Sequence, residues 1–257
     1  MTDSQWNQLL AVLRGEPLDP LPVGFIIDSP WLPNWCGHDI ADYLTCDATW
    51  WENHRFSVSR GPLNIASFRM GTTEFLVALK TDPEPMRRLL RVITDFLVRW
   101  HALQRETFPT IDGILVLDDL VGFMGETDFL EFGRPYLRDL FAVNVAVKFF
   151  HNDAPCAWSL AHYADLGINL YNPGIQTTLP EMRRLSGGRL TILGSIPPRD
   201  VLAKGSPDDV RAAIKRLLEQ TPDRSRLILS CAGGMPPGVS TENIRAFREA
   251  AQTKAEG

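Results

Sequence analysis

The feature that most constrains this chain is an alternation. Short, continuously apolar runs are separated by amphipathic segments that carry helix-starting signals. Seven runs read as strands: 22–28 (PVGFIID), 56–66 (FSVSRGPLNIA), 111–118 (IDGILVLD), 145–152 (VAVKFFHN), 167–172 (GINLYN), 190–195 (LTILGS) and 226–231 (RLILSC). Most are apolar at successive positions rather than at every second one, as strands buried on both faces must be. Strands that alternate with helices in this way pair in parallel, because each helix carries the chain back to the same end of the sheet.

The intervening helices are marked by their caps. In TDPEPMRRLLRVITDFLVRWHALQ, Asp82 is placed as an N-cap and Pro83 at the first helical position, where its missing N–H costs nothing. Leu89, Leu90, Ile93, Phe96, Leu97 and Trp100 recur there at helical spacing and are expected in the core. GSPDDVRAAIKRLLEQ repeats the device, with Ser206 as cap, Pro207 first, and Asp208 and Asp209 at the positive end of the helix dipole. STENIRAFREAAQ begins a third capped helix. The resulting expectation is an α/β fold of the TIM-type (β/α) barrel, with a doubly wound open sheet as the alternative. No GxGxxG follows a strand, so a dinucleotide fold lacks its best signal. A complete barrel has eight strands. One strand unit is missing near residues 50–58, where TWWENHRFSVSR passes from an aromatic turn straight into a strand.

The 257 residues are enough for one domain, and a single barrel domain over 1–257 is expected. A net charge of −5 argues against a nucleic-acid partner, which selects basic faces. No apolar run reaches the length of a membrane span, and the polar start MTDSQWNQ is unlike a signal peptide. The four cysteines, without CxxC spacing, read as reduced thiols, and the expected compartment is the cytoplasm.

In a barrel of this type the chemistry sits at the carboxyl ends of the strands. Those ends read Asp28, Asp118 with Asp119, His151 with Asp153, Asn172, Ser195 and Cys231. Asp, Asn and Ser are also ordinary turn and cap residues, so each alone has a structural explanation. Together they offer imidazole, carboxylate and thiolate to one face, a mixture that suits zinc or metal-free acid–base chemistry. His151, Asp153 and Cys231 are therefore the candidate metal ligands, and Asp118, Asp119 and Asp28 the candidate acid–base groups. His151 and Asp153, two apart on an extended segment, point to the same side. In SPWLPNWCG, Trp31 and Trp35 stand on a Pro-rich loop after the first strand, as a platform for a flat or cationic ligand or as a cap of indoles. With Asn172 they are the candidate cofactor-binding residues. His54, His101 and His162 read as structural.

Four stretches, in order, resemble the uroporphyrinogen decarboxylase superfamily. They are RGPLNIASFRMGTTEFLVALKTDPEPMRRLL, DGILVLDDLVGFMGETDFLEFGRPYLRDLF, LTILGSIPPRDVLAKGSPDDVRAAIKRLL and RLILSCAGGMPPGVSTENIRAF. The resemblance implies a TIM-type barrel with its site at the strand C-termini. True decarboxylases carry arginines after the first strand, whereas this chain reads IIDSPWLPNW. The chain is thus more similar to the cobalamin-dependent methyltransferase-like branch. There the family pattern is His-x-Cys at FFHNDAP with a second Cys near the final Gly/Pro loop, holding a zinc that activates an acceptor thiol. By that resemblance His151 matches the ligand histidine, Asp153 stands where the first cysteine would, and Cys231 lies a little before the second. Asp118 matches the strand-end aspartate, with Asp119 beside it. The resemblance further implies zinc, a corrinoid (cobalamin) on a partner protein and a small-molecule substrate. The unpaired edges left by the missing strand favour a homodimer. Two rivals accompany this reading: a metal-free decarboxylase or lyase using Asp28 and Asp118, and a degenerate barrel that binds a cofactor or partner without turnover.

Overall fold

The computed structural model describes residues 1–26, 54–155 and 157–252. Six parallel strands follow chain order in one sheet: β1 (Phe56–Arg60), β2 (Gly113–Leu117), β3 (Val147–Asn152), β4 (Leu170–Pro173), β5 (Thr191–Ile196) and β6 (Leu227–Cys231). The seventh apolar run, 22–28, joins at β6 through a parallel bridge from Val23 to Leu229. Gly24 N donates to Leu229 O at 3.0 Å and Leu229 N to Pro22 O at 2.9 Å. Every run read as a strand therefore meets the sheet. Among the described residues the sheet is not closed, because β1 has no strand on its outer side. Asp28, Trp31, Trp35 and Cys156 lie outside the described residues.

The α-helices of eight residues or more are α1 (Asp3–Leu13), α2 (Pro62–Met70), α3 (Thr72–Thr81), α4 (Pro83–Thr107), α5 (Arg134–Phe141), α6 (Leu179–Ser186), α7 (Pro207–Glu219) and α8 (Thr241–Gln252). The run 56–66 is only half strand. It ends at Arg60, and Pro62 opens α2 at the position where the absent N–H is no loss. α4 starts after Asp82 as expected, but the Asp82 carboxylate accepts from the Thr81 hydroxyl at 2.7 Å and makes no cap bond. Met86, Leu90, Ile93, Leu97 and His101 form its buried row. Phe96 and Trp100 are exposed, not core. At roughly 100° per residue they fall to one side of the buried row, so the helix carries two apolar rows and only one of them faces inward. α7 has the reciprocal capping box of Ser206 and Asp209. At the start of α8 the Ser240 hydroxyl accepts from Asn243 N at 3.1 Å.

By its internal contacts the chain divides into two compact units. The unit of His54–Tyr171 and Glu181–Leu190 holds β1 to β3 and α2 to α5. Its core includes Phe150, whose ring stands edge-on to Phe141 at 6.1 Å and to Tyr163 at 4.9 Å. Phe149, on the opposite face of β3, is buried as well, so the strand is covered on both sides as its apolar run predicts. The unit of Met1–Asn53, Asn172–Pro180 and Thr191–Gly257 holds α1, β5, β6, α7 and α8. There the Asn243 amide ties α8 to the carbonyls of Leu202 and Gly205 at 2.9 and 2.8 Å. Among the described residues no helix is long and apolar enough to cross a membrane.

Candidate metal centre

Parallel register brings the ends of three strands level. Arg60 pairs with Leu117 across β1 and β2, and Leu117 with His151 across β2 and β3. One residue further on, Asp118 N donates to His151 O at 3.0 Å, which extends the ladder to the point where the chain turns.

At that point Asp118 and Asp119 part. The Asp118 carboxylate is wholly buried and accepts from Leu63 N at 3.0 Å and Asn64 N at 2.8 Å. It supplies from another segment the N-terminal cap that Gly61 cannot give α2. Burial pushes its pKa up to about 8, against the pull of the two backbone donors. Gly61 makes room for it, since a Cβ there would lie 2.1 Å from Asp118 Oδ2.

Asp119 opens a short 3-10 turn, Asp119–Phe123, and faces β3 instead. Its Oδ1 lies 3.7 Å from His151 Nε2 and accepts from Asp153 N at 3.3 Å. The turn packs against the loop after β3 so closely that a Cβ on Gly122 would meet Ala154 Cβ at 2.4 Å. Asp119, His151 and Asp153 each bring one ligand atom to a common point, all within 4.8 Å of one another. His151 is buried, Asp119 half-buried and Asp153 exposed, so the group opens to solvent on the Asp153 side. Two carboxylate oxygens and an imidazole nitrogen form a donor set that divalent zinc, iron or manganese accepts. The residues present fit such an ion.

Two neighbours complete the geometry. Arg60, at the end of β1, brings its guanidinium to 3.7 Å from Asp119 Oδ2. Asn64, buried on α2, donates from Nδ2 to Leu117 O at 3.2 Å and Asp119 Oδ2 at 3.5 Å, and its Oδ1 accepts from Leu120 N at 3.2 Å. The sequence reading named neither. The signal for Arg60 was present, as a charged residue ending an apolar run directly before Gly-Pro; Asn64 gave none, being hidden in a run read as strand.

Asn172 and Cys231 belong to the other compact unit. Asn172 is buried and its Nδ2 donates to Leu193 O at 2.6 Å and Cys231 O at 3.3 Å, a tie between strand ends. Cys231 ends β6 wholly buried, its thiol 3.7 Å from Gly233 O, and burial pushes its pKa up to about 12. The grouped ligands do not include it. His101, read as structural, lies buried between the hydroxyls of Ser57 at 2.9 Å and Ser59 at 2.8 Å.

Residues 55–254 match the family described as Uroporphyrinogen decarboxylase (URO-D). The chain belongs to this family. Its fold is therefore of the family's TIM type, and among the described residues seven segments, β1 to β6 and the bridge at Val23, meet the sheet. Among curated relatives, the uroporphyrinogen decarboxylase of Chlorobium phaeobacteroides is 24% identical over 179 residues, 65% of this chain and 49% of its own. A methylated-thiol–coenzyme M methyltransferase of Methanosarcina mazei is 24% identical over 188 residues, 72% of this chain and 49% of its own. The chain spans about half the length of these family members. Among solved structures, a methyltransferase from Methanosarcina mazei superposes with a TM-score of 0.77 at 16% identity, covering 96% of this chain and 98% of that one. That likeness is one of fold.

Proposed function

We propose that this chain is a metal-dependent methyl-transfer enzyme whose ion is held by Asp119, His151 and Asp153. The observation that carries the reading is the convergence of those three ligand atoms at the strand C-termini. The name of the Methanosarcina mazei relative supports methyl transfer as the reaction class. The corrinoid would come from a partner protein and the methyl acceptor would be a small molecule.

A bound divalent ion supplies Lewis acidity that lowers the pKa of an acceptor thiol or water. The chain's own residues set the terms on which it works. β3 and its buried Phe149 and Phe150 fix the direction of His151. Asp153 N holds Asp119 Oδ1 in place, and Asn64 holds its Oδ2. Arg60 offsets part of the negative charge of the two carboxylates. Asp118 acts as a positioning residue, because it fixes the start of α2 and with it Asn64. With carboxylate where the family pattern has thiolate, the set is harder and would accept manganese or iron as well as zinc, with zinc intrinsically the tighter of the three.

The test is elemental mass spectrometry of the purified chain beside Asp119→Ala, His151→Ala and Asp153→Ala, followed by transfer from methylcobalamin to a thiol. Near-stoichiometric metal lost in all three variants, with activity lost in parallel, is the expected result. Folded protein that stays metal-free after incubation with zinc, manganese and iron would overturn the reading.

A second reading is favoured by Arg60. A guanidinium at the mouth of the site suits a substrate carboxylate, and several curated relatives are decarboxylases by name. Turnover of a carboxylated substrate by metal-free protein distinguishes it.

A further inference from the structure

The three ligands of the metal centre come from two separate segments. Asp119 stands on the turn after β2, whereas His151 and Asp153 stand at the end of β3 and on the loop that follows it. β3 fixes His151, which is buried, but Asp153 is exposed and takes its place from its loop. The spacing of the two carboxylates is therefore the spacing of the two segments. A metal centre tolerates an error of only about 0.2 Å in its ligand distances.

Two contacts remote from the ligand atoms govern that spacing. Gly122 lies against Ala154 with no room for a side chain, since an added Cβ would come within 2.4 Å of Ala154 Cβ. This contact is a stop, and the segments cannot come closer there. The second contact is a tether. His162, on the short turn Leu160–Tyr163, brings Nε2 to 2.7 Å from Oε1 of Glu126, which opens the turn Glu126–Asp128. An ionised carboxylate only accepts, so the ring carries a proton on Nε2 and donates it to the bond. Neutral and charged imidazole serve alike.

Packing presets the tether. The His162 ring lies 5.7 Å from the ring of Phe129, and Trp158 stands edge-on to Phe129 at 5.3 Å. Phe129 is wholly buried and belongs to the segment after β2, as Glu126 does. The His162 side chain is 19% exposed and that of Glu126 56%. An imidazole already held in place gives up little entropy on meeting its partner, which is the loss that makes exposed ion pairs weak. Neither side chain caps its own turn, so the bond acts on the spacing between the segments.

On the metal-centre reading above, we propose that His162 and Glu126 are its positioning residues. Their bond ties the segment of Asp119 to the segment of Asp153 and, with the stop at Gly122, sets how far apart the two carboxylates stand around the ion.

Titration of cobalt(II) chloride into the metal-stripped full chain tests this. Cobalt accepts the same nitrogen and oxygen ligands as zinc, and its visible bands report coordination geometry. Glu126→Ala and His162→Ala are each expected to weaken cobalt binding about fivefold or more and to shift the bands. Circular dichroism checks the fold, which Glu126→Ala keeps because the residue is more than half exposed. His162→Gln is expected to recover most of the affinity, since its amide Nε2 donates to the same oxygen. Wild-type affinity and bands in Glu126→Ala would overturn the proposal and leave the metal centre standing. A His162→Gln variant as weak as His162→Ala would overturn it too, by assigning the effect to lost ring packing. A wild type that binds no cobalt would overturn the metal centre, and this role with it.

Discussion

Asp118 and Asp119 are adjacent in sequence and opposite in environment. One is buried against two backbone N–H groups, and the other faces an imidazole, a second aspartate and solvent. The close approach of Gly61 to Asp118 makes a sharp prediction. Gly61→Ala places a methyl group where the carboxylate now lies, and an overpacked site of this kind costs about 2 kcal/mol, measured by urea unfolding.

Two buried groups also give the protein a pH signature. Burial, with Arg105 nearby, lowers the His101 pKa from 6.5 to about 4. The unfolded chain therefore binds a proton there that the folded chain refuses, and stability is lost as pH falls from 6.5 towards 4. Asp118 has the opposite sign. Its folded pKa of about 8 lies above the ordinary 3.8, so folding takes up a proton, and stability falls as pH rises from about 4 to 8. The two oppose one another below pH 6.5, and Asp118 acts without His101 above it. Denaturant melts between pH 6.5 and 8 should show stability declining with pH, by at most about 1.4 kcal/mol per unit. The same melts on Asp118→Asn should lose that slope and start lower by about 1–3 kcal/mol, since one backbone donor is left facing an amide N–H.

At the scale of elements, the helix caps and the strand interiors behave as their sequences specify. The capping box of α7 is complete, so Ser206→Ala should lower stability by about 1 kcal/mol in thermal or urea melts. Phe150, on the helix-facing side of β3, has aromatic neighbours on three elements, and Phe150→Ala should cost about 3–5 kcal/mol on the same measurement. The elements that diverge from the reading are equally instructive. The run 56–66 holds a strand and a helix, divided at Gly61-Pro62. Pro62 was visible in the sequence, but continuous apolarity concealed the change of period from two to 3.6. On α4 the apolar spacing predicted a helix and gave no ranking of its two apolar rows. Only the packing of the helix on β1 and its neighbours selects the row of Leu90, Ile93 and Leu97.

At the scale of the whole molecule, the family fold is present, and among the described residues the outer edge of β1 is met by a side chain instead of a strand. Gln104 satisfies the β1 backbone at Val58. Gln104→Ala should cost about 1 kcal/mol and increase aggregation in light scattering, because an unpaired edge is a template for further strands.

The sequence by itself determined the alternation of strands and helices, the parallel class of the sheet and its family, because these follow from local periodicity and from motifs contained in single segments. It also located the polar strand ends, and through them His151, Asp153 and Asp119, whose ligand atoms lie together in the fold. Tertiary structure alone decided which of those polar ends converge. Register levels Arg60, Leu117 and His151. The turn after β2 sends Asp118 inward to cap α2 and Asp119 outward to His151. Periodicity reports how an element is buried, whereas a site depends on which atoms of different elements come within a few ångströms, and that is set only when the elements pack.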